Sequence, residues 1–331
     1  MDDPKKILVV IVTRIGDTAL VSPILKSISN FYPNSKITVL AHPKRKMILQ
    51  NLEFINKLKN ITKFRARFMG WLSVKKYDLC FAYGHDIELV KYGIRVSKNT
   101  IAFSQRSEKV NSKLYKHTKD IEDLNLPQID RLALLLSLIK IPLISRRIHY
   151  KVSKKESDVA DEFLIENKLY NKFLIGIQAV SFPTKSFRDW PVENFHTYAS
   201  KLLETNPNAF FLLFGSNDPK ERVKNQWLET MLENNVINLS GLSLRNTAAL
   251  MSKINFYIGV DTGPSHIMSA FNIPTIVLYS NIFQSNYIGL MQHPLFVPID
   301  HPKKDSKVEE DMGEISVKSV LNKTNKLLKQ I

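Results

Sequence analysis

The chain has 331 residues, 44% of them hydrophobic and 24% charged, a balance that excludes a disordered or collagen-like polymer and allows two globular domains. One cysteine, Cys80, excludes an intrachain disulfide, and no apolar run approaches the ~20 residues a membrane-spanning helix needs. The net charge of +16 is lopsided: residues 1–150 carry 27 basic against 12 acidic residues, whereas residues 151–331 carry 20 against 19.

The chain opens with MDDPKKILVVIV, whose early acids and lack of a small-residue cleavage pattern argue against a secretory leader. Its β-branched run KILVVIV (6–12) predicts a buried parallel strand. Apolar residues recurring every three or four positions from Thr18 to Asn30 predict a helix. KITVL (36–40) reads as the next strand, KRKMILQ as the start of a helix, YDLCFAY (77–83) and NTIAF (99–103) as further strands. Cys80 lies in YDLCFAY and reads as a buried, inert thiol. IDRLALLLSLIKI (129–141) predicts an apolar helix closing the first half, and PLISRRIHYKVSKKE (142–156) a short strand and a crossover. The second half repeats the alternation. Helices are predicted at about 155–168, 192–205, 219–233, 243–252, from Pro264 and at 314–330. Strands are predicted at 172–178, 209–215, 236–239, 255–260 and 274–280. Two α/β units with parallel sheets follow, and such sheets bind ligands beyond the carboxyl ends of their strands.

Three stretches sit at such ends. In RIGD (14–17), Gly16 permits a tight turn and Asp17 stands at a helix start, as an N-cap or as a general base. In TKSFRDWP (184–191), Thr184, Lys185, Ser186 and Arg188 offer donors, and a guanidinium grips two phosphate oxygens at once. The alternative is a basic surface loop anchored by Trp190. In VDTGPSH (260–266), Gly263 admits a close ligand, Thr262 and Ser265 add hydroxyls and His266 an imidazole at a helix start. Its alternative is a capping turn made by Asp261 or Thr262. No G-x-G-x-x-G, P-loop, G-x-S-x-G or metal-ligand spacing is present.

Taken in order, RIGD…SPILKSI…YPNSKITVL, RDWP, and GLSL…INFYIGVDTGPSH…IPTIVLY resemble glycosyltransferase family 9, the lipopolysaccharide heptosyltransferase-like family. The likeness runs over roughly residues 5–280 and is looser between 60 and 130. It implies a GT-B fold: two Rossmann-like α/β domains with parallel sheets facing a central cleft. The acceptor-binding domain would be 1–150, the nucleotide-sugar-binding domain 151–312, and a helix in 313–331 would pack back on the first domain. It implies inverting, metal-independent transfer with no cofactor. The sugar would be heptose from ADP-heptose, or come from a UDP-hexose or UDP-N-acetylhexosamine, and the acceptor a lipopolysaccharide core carrying phosphates and Kdo carboxylates. Asp17 falls on the catalytic base, with Arg14 and Gly16 on the acceptor side. Thr184, Lys185, Arg188, Asp261, Thr262, Gly263 and His266 fall on the donor and phosphate side.

Two departures stand out. Arg188 replaces the family's usual Lys, keeping charge but exchanging a point charge for a planar fork. Arg245 replaces an acid that often follows SL and meets the nucleoside, which weakens the case for ADP. The basic first half fits peripheral contact with the anionic cytoplasmic face of an inner membrane, with no nucleic-acid partner expected. A non-catalytic nucleic-acid or anionic-lipid binder that has kept the fold is the rival reading.

Overall fold

The computed structural model describes residues 3–70, 74–121, 123, 125–181 and 183–330. The chain divides into two compact units at Lys151/Val152.

The first unit holds β1 (Lys6–Ile11), α1 (Ile15–Phe31), β2 (Lys36–Ala41), β3 (Lys57–Asn60), α2 (Lys63–Phe68), β4 (Tyr77–Tyr83), α3 (Ile87–Val96), β5 (Ser97–Phe103), α4 (Glu108–Asn111), β6 (Lys116–Thr118) and α5 (Gln128–Ser137). Its six strands run in the order β3-β2-β1-β4-β5-β6, and every pair is parallel. The order reverses direction between β1 and β4, so the loops after those two strands open a crevice at the sheet's carboxyl edge. β1, β2 and β4 are buried almost throughout, as their continuous apolar runs predict. Cys80 is fully buried, which pushes its thiol up to about 12, outside the reactive range.

α1 carries a proline in its interior. Pro23 has no N–H for the Ala19 carbonyl, and the Ser22 hydroxyl donates to that carbonyl instead, at 2.7 Å. Ser22 Oγ also accepts from the backbone N–H of His149, and Ser27 Oγ from that of Ile144. Segment 142–150 therefore forms no strand. Two of its backbone N–H groups, those of Ile144 and His149, are met by α1 hydroxyls, where the sequence pattern predicts a short ladder. The helix predicted at KRKMILQ shrinks to a single 3-10 turn over Lys46–Leu49.

The second unit repeats the plan with α6 (Lys154–Glu166), β7 (Phe173–Gln178), α7 (Val192–Thr205), β8 (Ala209–Leu213), α8 (Pro219–Leu232), β9 (Val236–Asn238), α9 (Leu244–Met251), β10 (Phe256–Val260), α10 (Gly263–Met268), β11 (Thr275–Tyr279), α11 (Ser285–Ile288), β12 (Phe296–Asp300) and α12 (Val317–Leu328). Its strand order, β12-β11-β10-β7-β8-β9, is again all parallel with the switch between β7 and β10. Apolar clusters cover both faces of this sheet.

The final helix, expected from the sequence on the first domain, makes its core contacts in the second unit. Val320 and Leu327 of α12 lie in the second unit's own core, and buried Thr324 hydrogen bonds Tyr198 of α7 at 2.9 Å. The physical reason is the helix's single apolar stripe, which α7 already covers. Among the described residues, no helix is long and apolar enough to cross a membrane.

Candidate active site

In the first unit, the loop after β1 leads straight into α1. Arg14 occupies the N-cap position without a side-chain cap, and its carbonyl accepts from both the N–H and the hydroxyl of Thr18. Arg45 holds the loop from the side by donating to the Thr13 carbonyl at 2.6 Å. Asp17 is the third helical residue, so it is not the N-cap. Its carboxylate, half-buried, accepts from the side-chain amide of Gln128 at 2.7 Å. Gly16 is half-buried beside it and Arg14 is exposed.

Gln128 begins α5, and Arg131 stands one turn later on the same face. Arg131 grips Asp120, its Nη2 at 2.7 Å from one carboxylate oxygen. The same oxygen of Asp120 lies 2.5 Å from Nε2 of His85, an exposed imidazole in the loop after β4 that stacks over Phe103. One helix face thus orients two carboxylates at the carboxyl edge of the sheet. Gln128, His85 and Asp120 escape a reading by motif, because each makes its contact through residues distant in the sequence.

In the second unit, the loops after β7 and β10 meet at the switch point. Within RDWP, two adjacent side chains are fixed inside the unit. Asp189 points inward, accepting from the Ser181 N–H at 2.7 Å and from Lys224 at 2.9 Å. Trp190 is fully buried and its indole N–H donates to the Ile315 carbonyl at 2.8 Å, so it is the anchor the sequence suggests. Just before these fixed points, Arg188 reaches towards the loop after β10. Its Nη1 pairs with the buried carboxylate of Asp261, and its guanidinium lies over the Phe283 ring, 4.0 Å from the centroid, with Phe187 at 5.6 Å. Two aromatic faces suit a planar guanidinium better than an ammonium, which gives the Lys-to-Arg exchange a local physical setting. The backbone of Pro183–Arg188 forms a 3-10 turn, and the side chains of Thr184 and Lys185 lie outside the described residues.

Asp261 directly follows β10 and is 4% exposed. Besides Arg188, it lies 3.5 Å from Nε2 of His266, whose Nδ1 is buried with no partner among the described residues. Thr262 takes the N-cap position of α10 without a side-chain cap bond, so Asp261 is not the cap. Ser265, expected as a free donor, is committed inside the turn, donating to the Val260 carbonyl at 2.7 Å and meeting the Tyr257 hydroxyl at 2.9 Å. Thr262 and Gly263 stay half-buried at the rim. α10 has only six residues, so its dipole is small and the fixed cation here is Arg188. Burial, with Asp261 and Asp300 nearby, holds the neighbouring Tyr279 phenol far above its usual range, so it stays protonated.

Arg245 at the start of α9 is 8% exposed and makes two hydrogen bonds to Glu156 of α6 through Nε and Nη2, the first at 2.7 Å. The guanidinium draws Glu156 down to about 2, aided by bonds from Ser153. Among the described residues, no group of three or more His, Cys, Asp or Glu side chains is placed to hold a metal ion.

The profile of glycosyltransferase family 9 (heptosyltransferase) matches residues 94–293. The chain belongs to this family. As a family 9 glycosyltransferase, it is also 20% identical over 284 residues to the lipopolysaccharide core heptosyltransferase OpsX of Haemophilus influenzae, covering 84% of this chain and 79% of that one. A family 9 glycosyl transferase from Veillonella parvula superimposes with a TM-score of 0.85 at 20% identity, covering 99% of this transferase and 98% of that one. The ADP-heptose lipopolysaccharide heptosyltransferase II of E. coli gives a TM-score of 0.80 at 19% identity over 98% and 99% of the two chains. At these identities the likeness shows the transferase's two-domain α/β fold, the GT-B architecture expected from the sequence.

Proposed function

We propose that the protein transfers a heptose from ADP-heptose to a lipopolysaccharide core acceptor, with inversion and without a metal ion, at the cytoplasmic face of the inner membrane. The observation that carries the reading is Arg188, held between two aromatic rings and a buried carboxylate at the second switch point of a family 9 transferase. Family membership displaces the rival reading of a non-catalytic binder. The names of the curated relative and of the E. coli structure support the acceptor and the sugar.

The chemistry follows from the charges. Breaking the bond between sugar and diphosphate builds negative charge on the leaving group, and a preorganised cation stabilises that charge as it develops. Arg188 would turn from Asp261 to the diphosphate, with Lys185, Thr184, Thr262 and the Gly263 backbone as further contacts. Asp261 and His266 would then face sugar hydroxyls. The acceptor hydroxyl attacks the anomeric carbon opposite the diphosphate, its proton passing to the Asp17 carboxylate, and Gln128 fixes that carboxylate's direction. One displacement gives inversion. Arg14 and the basic first unit would meet the acceptor's phosphates and carboxylates and the anionic lipid surface around it. Because Arg245 is tied to Glu156, a UDP-sugar is kept as the second reading.

Thermal denaturation with ADP, UDP and GDP, followed by transfer assays with ADP-heptose, tests this. ADP alone should raise the melting temperature. The product should have inverted anomeric configuration, and a chelator should leave the rate unchanged. Stabilisation by UDP instead would transfer the reading to a UDP-sugar, and retained configuration would remove Asp17 from its role.

A further inference from the structure

The first unit displays an aromatic ridge that the transfer chemistry does not use. In α2, Phe64 and Phe68 are 75% and 63% exposed and pack edge to face, with ring centroids 5.1 Å apart. Met69 and Val74, close in sequence, are also exposed. On a helix, residues 64 and 68 share one face, while Ala66 faces the other way and is fully buried. Lys63, Arg65 and Arg67 flank the ridge on both sides and are exposed. From residue 54 to 77 the sequence has seven basic residues and no acidic one.

The ridge is firmly held. Thr62 caps the start of α2, its hydroxyl accepting from the Arg65 N–H at 3.2 Å. Arg95 of α3 donates to the carbonyls of Ala66 and of Met69, the latter at 3.1 Å. Gly70 then turns the chain at φ +84°, where a Cβ would meet Val96 at 2.9 Å. A rigid mount that presents phenylalanines to water needs a partner to cover them.

We propose that α2, with the adjoining edge strand β3 and residues 74–76, is the face by which this protein docks on an anionic bilayer. This deepens the proposed membrane contact of the preceding reading and rests on it. Phe64 and Phe68 enter the headgroup boundary, while Lys63, Arg65, Arg67, Lys75 and Lys76 extend their apolar stems alongside and place their charges among lipid phosphates. Charge complementarity selects the bilayer, since the basic residues bordering the ridge outnumber the acid at its edge, Asp86, 2.8 Å from the Lys63 ammonium, and so match an anionic plane. Aromatic insertion separates a bilayer from free phosphate, which has nothing for the rings to enter.

The test is flotation of the full chain with phosphatidylcholine vesicles, with and without phosphatidylglycerol. The protein should bind the anionic vesicles and release at high salt. F64S/F68S should weaken binding by about tenfold or more at an unchanged melting temperature, and K63Q/R65Q/R67Q should lose the preference for phosphatidylglycerol. In F64W, brominated lipid should quench the added indole. Equal binding by F64S/F68S would overturn the proposal. So would a native chain that ignores vesicles and, by light scattering, pairs with a second copy that F64S/F68S loses. Nucleotide binding measured by calorimetry on the same preparations keeps the two readings apart. Lost docking with intact nucleotide binding condemns only the face, and the converse condemns only the transfer chemistry.

Discussion

The two units share one strand order and prepare their switch points in opposite ways. In the first, a half-buried carboxylate is steered by a neutral amide, and among the described residues no ion pair to Asp17 is seen. In the second, a buried carboxylate is matched directly by a cation, Arg188 on Asp261, with rings on the guanidinium faces. A proton acceptor needs an uncompensated lone pair, whereas a grip for a leaving anion needs a cation kept in place until the anion arrives. On the proposed roles, the difference teaches that one topology can host either half of a displacement, and that the local partner decides which.

Removing the proposed proton acceptor should cost most. Asp17→Asn should lower turnover by about 10²–10⁴-fold while nucleotide affinity by calorimetry stays unchanged. Gln128→Ala should lower turnover far less, because it leaves the carboxylate present and only undirected. An Asp17→Asn enzyme with near-normal turnover would break the contrast between the two switch points. Next comes the cation. Arg188→Ala should weaken nucleotide binding by about 1.5–3 kcal/mol, roughly 10–100-fold, and Phe283→Leu by a smaller factor in the same direction. Equal affinity in both variants would show that the guanidinium never leaves Asp261.

The last prediction concerns a cation away from both switch points, Arg245, which is tied to Glu156. Glu156→Gln should destabilise by about 2 kcal/mol near neutral pH, measured by denaturant titration. Arg245 holds the Glu156 carboxyl from its ordinary 4.5 down to about 2 in the folded chain, so its contribution is complete above pH 4.5. It fades as pH falls towards 2, and the variant's curve should converge on the native one there. A constant gap across that range would mean the pair is held by packing instead.

Much of this was legible before any coordinates. The central strands of both sheets announce themselves as unbroken apolar runs because both of their faces are covered. The sheet edges do not. β3 (KLKN) and β6 (KHT) border the first sheet and are mostly exposed, so they carry no apolar signal, and β12 (FVPID) tolerates Pro298 at the border of the second. α3 also escapes a reading by runs, although Asp86 caps it cleanly. Within the site, motif residues such as Asp17, Arg188 and Asp261 stand out because chemistry concentrates in short stretches. Their partners do not: Gln128 reaches Asp17 across 111 positions, and only the fold brings Phe283 over Arg188. Sequence names the reagents, and tertiary contacts set which way they point.

The Trp190 indole has a consequence beyond its packing. Its hydrogen bond to the Ile315 carbonyl ties the end of the RDWP stretch to the segment leading into α12, and Tyr198 on Thr324 ties α7 to α12 itself. Loosening α12 would therefore be felt at Arg188, two residues from that indole.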